Sequence, residues 1–524
     1  MSATTSLTAL WGEEVVETTY AGHPGRTLDP RPRSLAELFA GAPRWAERTF
    51  LVHGARRITF TRFLRAIEPA TAVLTDRGVR PGDHVLVHAY NSADWVLALF
   101  AAWRAGAVPV LGNRWWSEPE LAHACGLATP RLVISDSHLV GADLAPSDLA
   151  FAYEHQEDTD PHDVVAGFPE SDEDSPAVVI FTSGSSGPPK GVVLSHRSVI
   201  ANQHNLLSRS RRLPRDLGEP APQPVTLVCT PLFHIGGISN LVTNLVIGGT
   251  LVLTEGRFDP GQVLRLIETE RVQSFGGVPT MAIRVLEHPD FESSDLSSLR
   301  SWPLGGAPVS AGLLDRMARQ LPQLRKRGLG NTWGMSESGG FLTVAGNRDL
   351  AVRPGTVGKP YPVVELRISD AGEILVRSPT VMLGYLGQDD GTVDADGWLH
   401  TGDLGHLDAD GYLYLDGRSK DVVIRGGENI ACAHVELALA RHPDVVEVAV
   451  LGIPHPDLGE ELAAVVVHRG DAPTGEDLRE FLTGTLAYFA IPARWVIRTE
   501  PLPTLAGEKA DKNALRALFA EEAS

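Results

Sequence analysis

Cysteine is scarce in this chain. Cys125, Cys229 and Cys432 are the only three in 524 residues, too few for a disulfide framework and without the paired spacing of a metal site. A reducing cytoplasm is therefore the expected location. The amino terminus, MSATTSLTALWGEEVVETTY, has neither a basic start nor a long apolar stretch, so no signal peptide is expected. Short internal repeats and low-complexity tracts are absent as well. Positive charge is in deficit: the net charge of -19 argues against nonspecific attachment to nucleic acid or to an anionic membrane. Residues 231–254 contain no Asp, Glu, Lys or Arg and could span a bilayer by length. Pro231, His234, Asn240, Asn244 and the pairs Gly236–Gly237 and Gly248–Gly249 point instead to a buried loop, helix and strand.

What is present is an ordinary globular composition, 43% hydrophobic and 21% charged, in a chain too long for one core. Compact apolar runs, HVLVHAY (84–90), RLVISD (131–136), AVVIF (177–181), VTLVCT (225–230) and TLVLTE (250–255), read as strands. SADWVLALFAAWRAG (92–106) and DPGQVLRLIETER (259–271) repeat apolar residues at helical spacing. Alternation of this kind predicts an α/β fold with largely buried, parallel-containing sheets. Near 361–377 and 411–424 the pattern turns antiparallel, and 154–175 and 208–224 read as surface loops. After about residue 420 the texture changes to a small α+β unit. The expected division is 1–419 and 420–524.

Residues 181–191, FTSGSSGPPKG, follow the run AVVIF. Consecutive small residues let backbone N–H groups converge on phosphate oxygens, hydroxyls add donors, and Lys190 adds a point charge. Thr182, Ser183, Gly184, Ser185, Ser186, Gly187 and Lys190 are therefore candidate ligands of a nucleoside triphosphate. The string is not a Walker loop, because Pro189 and Gly191 flank the lysine where that motif needs Gly and Ser or Thr.

With its companions downstream, this string resembles the signature of the adenylate-forming superfamily, which includes acyl-CoA synthetases, luciferases and peptide-synthetase adenylation domains. The resemblance covers nearly the whole chain and most suggests a bacterial acyl-CoA synthetase. It implies a large amino-terminal domain that includes a distorted β-barrel, with a mobile carboxy-terminal domain of roughly a hundred residues. It also implies ATP, Mg²⁺ and coenzyme A: a carboxylic acid is activated as an acyl-adenylate and passed to a thiol.

Site residues follow by the same resemblance. In NTWGMSESGG (331–340), Trp333 and Gly334 would lie against the purine, Ser336 would donate to a phosphate, and Glu337 would ligate Mg²⁺. A hard cation accepts one carboxylate plus phosphates and waters. LGGAP (304–308) supplies Gly305, Gly306, Ala307 and Pro308 beneath the adenine. WLHTGD (398–403) and DGRSKD (416–421) supply Asp403 for the ribose hydroxyls and Arg418 to assist it. PLFHIGG (231–237) supplies His234 as gate of the acid pocket, with further wall residues at Gly276, Gly277, Val278 and Pro279. Lys420 falls at the expected hinge, and Gly426 and Gly427 of RGGENI would flank a narrow tunnel for pantetheine.

Lys509, in LPTLAGEKADKNALR (502–516), is the candidate lysine that stabilises charge during adenylation. One departure stands beside it: Glu508 occupies the place of a glycine, and Gly507 lies one position earlier. Such a glutamate could pair with the lysine, repel the triphosphate, or stiffen a turn that needs glycine's freedom. The leading expectation is an ATP-dependent acyl-CoA synthetase. A ligase that only transfers a preformed adenylate, an enzyme loading a carrier protein, and a non-catalytic adenylate binder remain alternatives. The acid is not specified, and the assembly, a homodimer among the options, stays open.

Overall fold

The computed structural model describes residues 9–520, apart from 139–140, 155–157, 183–187, 219, 389, 426–427 and 506. The apolar runs become two sheets. One runs in the order Gly384–Tyr385, Lys190–Ser195, Pro176–Thr182, Val108–Leu111, His84–His88, Leu132–Ser135, with its last four strands parallel. The other runs Ser274–Phe275, Val225–Val228, Thr250–Leu253, Thr49–His53, Arg56–Thr59, parallel except for its closing hairpin. Uninterrupted β-branched and leucine runs suit strands covered on both faces. Helix Ala93–Arg104 is buried from Ala93 to Trp103 in the core the two sheets share, where Phe50 packs at tilted angles on Phe60 and Phe63, and Phe63 meets Phe100 edge-on.

The uncharged stretch forms the expected loop, then helix Ile235–Ile247 and strand Thr250–Leu253. No helix among the described residues is long and apolar enough to cross a membrane. The two polar stretches carry more structure than their composition suggests. Helix Pro161–Ala166 buries Val164 and Val165, and Leu213 is fully buried, because isolated apolar residues anchor each segment to the core.

The region expected to be antiparallel consists of two four-stranded sheets, antiparallel throughout except that Trp302–Gly305 runs parallel to Leu329–Met335. Trp302–Gly305, Leu329–Met335, Gly340–Gly346 and Lys359–Pro360 form one; Glu365–Ile368, Glu373–Arg377, Leu399–Leu407 and Leu413–Arg418 form the other. A bridge between Gly358 and Leu413 joins them around a shared core of Trp333, Leu342, Val357, Ile374, Val376 and Leu413. This is the form the expected barrel takes. Beyond it, a five-stranded sheet built on the long pair Val445–His455 and Gly459–His468 packs helices Cys432–Leu439, Gly475–Leu482 and Lys512–Ala520 over two small cores.

Candidate active site

Thr182 and Lys190 are cross-strand partners at the end of an antiparallel pair. Ser183, Gly184, Ser185, Ser186 and Gly187 lie outside the described residues. The Lys190 ammonium pairs with Asp390 at 2.8 Å and sits 4.3 Å from the centre of the Tyr385 ring. Tyr385 donates its hydroxyl to Glu337 Oε1 at 2.9 Å. Burial and the neighbouring Glu337 carboxylate hold that phenol well above its ordinary range. Tyr385 thus ties Lys190 to the buried carboxylate of the GMSES turn. Ser336, half-buried, opens that turn with its carbonyl accepting from Gly339 N at 2.9 Å.

Asp403 faces Arg418 across adjacent strands, and Arg418 Nε reaches Asp403 Oδ1 at 2.8 Å. Partial desolvation works against the charge of the half-exposed guanidinium, but Asp403, Glu337 and Asp421 outweigh it and raise the Arg418 pKa. The second Asp403 oxygen accepts the indole N–H of Trp333 at 2.7 Å. Trp333, expected from the sequence as a platform for a purine, is only 4% exposed and packs into the barrel core. In this arrangement it orients a carboxylate.

Gly305 ends strand Trp302–Gly305, and Gly306 follows at φ +74°, a conformation that favours glycine. A Cβ on Gly305 would lie 2.3 Å from Thr332 Oγ1, so the close approach of the two strands excludes any side chain there. Ala307 is half-buried and Pro308 exposed as the chain turns toward helix Ala311–Gln320. A Cβ on Gly306 would stand 3.5 Å from Val278 Cγ1 and 3.7 Å from Lys509 Cε. The catalytic-lysine candidate therefore reaches the glycine turn from the carboxy-terminal unit.

Lys509 is solvent-exposed at its position in the loop. Desolvation and the Arg418 charge pull its ammonium from 10.5 down to about 8, against the opposing pull of Asp403 and Glu337. His234 caps helix Ile235–Ile247 by position. Its Nε2 is buried without a hydrogen-bond partner among the described residues and lies 3.5 Å from where a Cβ on Gly507 would sit. Burial and then Lys509 push the imidazole down to about 4, so it is neutral at neutral pH. Lys420 is exposed in the turn Ser419–Asp421, and Gly426 and Gly427 lie outside the described residues.

Glu508 takes the one backbone geometry its predecessor glycine would favour, φ +57°. A left-handed residue with a Cβ costs about 1–2 kcal/mol, so its surroundings must hold it there. Its carboxylate turns to Arg284 Nη1 at 2.5 Å and accepts from Thr504 Oγ1 at 3.3 Å. Its carbonyl accepts from the Thr280 hydroxyl. Of the three outcomes expected for this residue, an ion pair with helix Pro279–Leu286 replaces the pair with Lys509. Sequence reasoning missed Tyr385, Asp390, Thr280 and Arg284. The dipeptide Gly384–Tyr385 was a weak signal for the first, and the others carried none.

No group of three or more His, Cys, Asp or Glu side chains among the described residues is placed to hold a metal by itself. Glu337, buried and with one oxygen engaged by Tyr385, fits a site that needs one carboxylate and takes its other ligands from phosphates and water.

The profile of the AMP-binding enzyme family matches residues 38–386, and that of the AMP-binding enzyme C-terminal domain matches residues 434–509. The chain is similar to a feruloyl-CoA synthase of Amycolatopsis sp, 34% identical over 498 residues that cover 90% of this chain and 96% of the relative. It is 33% identical to a 3-[(3aS,4S,7aS)-7a-methyl-1,5-dioxo-octahydro-1H-inden-4-yl]propanoyl:CoA ligase of Mycobacterium tuberculosis H37Rv, over 93% of this chain and 98% of that one. Among solved structures, o-succinylbenzoate CoA synthetase of Bacillus subtilis bound to its acyl-adenylate intermediate superposes with a TM-score of 0.77. Identity is 27%, over 91% of this chain and 97% of the other.

Proposed function

The chain belongs to the AMP-binding enzyme family, and from that premise we propose that it is an AMP-forming acyl-CoA synthetase working in the cytoplasm. The carboxylate of an acid attacks the α-phosphorus of ATP and pyrophosphate leaves, forming an acyl-adenylate. The thiol of coenzyme A then attacks the acyl carbon, and AMP leaves.

The observation that carries the reading is the convergence of Asp403, Glu337, Gly306 and Lys509, drawn from the two antiparallel-region sheets and the carboxy-terminal loop. Asp403, held by Trp333 and Arg418, accepts the ribose hydroxyls. Gly305, Gly306, Ala307 and Pro308 let the adenine approach the backbone, with Gly334 on the neighbouring strand. Thr182, Ser336, Lys190 and the Gly/Ser string take phosphate oxygens. Lys509 stabilises the charge that builds at the α-phosphate, where a preplaced cation acts most strongly. Neutral His234 closes the acid side without adding charge. Mg²⁺, when bound at Glu337, would draw charge from the phosphates.

The engagement of Glu508 by Arg284 leaves Lys509 available, which favours the two-step reaction over transfer of a preformed adenylate. Domain alternation about Lys420 would exchange Lys509 for Gly426 and Gly427 between steps. Purified protein given ATP, Mg²⁺, coenzyme A and a panel of aryl, fatty and polycyclic acids should release pyrophosphate and form a thioester. Thioester only from synthetic adenylate would select the transfer-only ligase. Pyrophosphate without thioester would select a carrier-protein acceptor, and ATP binding without either product the non-catalytic reading.

A further inference from the structure

We infer that Glu508 and Arg284 form a latch that fastens the lysine loop onto helix Pro279–Leu286, making the Lys509-in arrangement the resting state of the enzyme. Its release would then be a separate event before thiol transfer, a consequence that rests on the two-step reading above.

Arg284 gathers several points of the carboxy-terminal unit on one guanidinium. Nη1 takes the Glu508 carboxylate, Nη2 donates to the Leu502 carbonyl at 3.3 Å, and Nε stands 3.9 Å from Glu447 Oε1. Glu447 in turn accepts from Leu502 N at 2.9 Å, which closes a ring of contacts around the start of the loop. Thr280, one helical turn before Arg284, holds the Glu508 carbonyl. Side chain and backbone of a single residue are thus gripped by the same helix.

Three features set this contact apart from an incidental surface pair. Arg284 and Glu508 side chains are 23% and 16% exposed, so water and salt screen them weakly; by contrast Arg469, which pairs with Glu287 across the same two units, is 51% exposed. The left-handed backbone at Glu508 belongs to a tight turn closed by Leu505 N–H on the Lys509 carbonyl and Glu508 N–H on the Leu505 carbonyl, and the helix grips that same turn through the Glu508 carbonyl and carboxylate. Glu508 also walls a cavity of about 10 Å³ bounded by Tyr90, Trp115, Phe233, Phe258 and Met281, room for at most one water. Withdrawal of the loop removes that wall, so unlatching and widening of the cavity are one motion.

The test is hydrogen exchange on the full-length protein without ligands, comparing wild type with Glu508→Gln, which keeps the side-chain size, and Glu508→Gly, which relieves the backbone. Peptides covering 279–286 and 502–512 should exchange about tenfold faster together in both variants, the factor carried by one charge-assisted hydrogen bond. Unchanged exchange in both would overturn the latch. In the activity arm, both variants should slow pyrophosphate formation and speed thiol transfer from preformed acyl-adenylate; equal slowing of both half-reactions would also overturn it. Exchange is measured whether or not the wild type turns over an acid, so failure of the proposed activity is seen separately.

Discussion

Trp333 donates its indole N–H to Asp403 Oδ2 at 2.7 Å, and both side chains are buried. With Arg418 on the other oxygen at 2.8 Å, the carboxylate is held at both oxygens. A carboxylate already oriented loses less freedom when it accepts two hydroxyls, which is how a core tryptophan can govern nucleotide affinity without touching the base.

Replacing Trp333 with Phe keeps most of the core volume and removes the donor. Loss of a hydrogen bond to a charged group costs about 1.5–3 kcal/mol, so ATP affinity by calorimetry should fall about tenfold or more. The fold, followed by circular dichroism, should survive.

Tyr385→Phe frees Glu337 Oε1 and leaves the ring beneath Lys190. Half-maximal activity should then need several-fold more Mg²⁺, with the KM for the acid little changed. Equal shifts in both would show that Tyr385 does not act through Glu337.

The lowered pKa of Lys509 carries a sign. Its ammonium is the active form, and deprotonation proceeds as pH rises through about 8 instead of 10.5. The kcat/KM for ATP in the pyrophosphate-forming step should therefore fall above pH 8. Lys509→Arg should lower the rate and abolish that basic limb, because guanidinium does not titrate there. His234, already neutral above about 4, should add no limb near 6.5.

Gly305→Ala tests the strand approach. The added methyl would stand 2.3 Å from Thr332 Oγ1 and 2.9 Å from its carbonyl oxygen, so the two strands must part. Overpacking of this kind costs about 1–3 kcal/mol. The denaturant midpoint should drop and ATP binding should be lost together.

Much of this molecule could be read along the chain. Strands such as Val225–Val228 and helix Pro260–Thr269 fall inside the segments their apolar spacing marked. The candidate site residues Thr182, Lys190, Glu337, Asp403 and Lys509 were picked out by their local strings. Trp333 was harder. Its residue type suggested stacking, and its burial follows from which face of the strand meets the barrel core. Tyr385 and Arg284 carried little or no mark, since neither stands in a motif that states its partner.

Periodicity, glycine turns and charged strings are properties of a few neighbouring residues, and they were enough to specify the α/β layering, the two-unit organisation and the family's chemistry. Which arginine meets Glu508, 224 positions away, is a property of how the two units dock. Nothing local encodes that pairing, because an ion pair depends on the distance and dielectric between side chains that packing alone brings together.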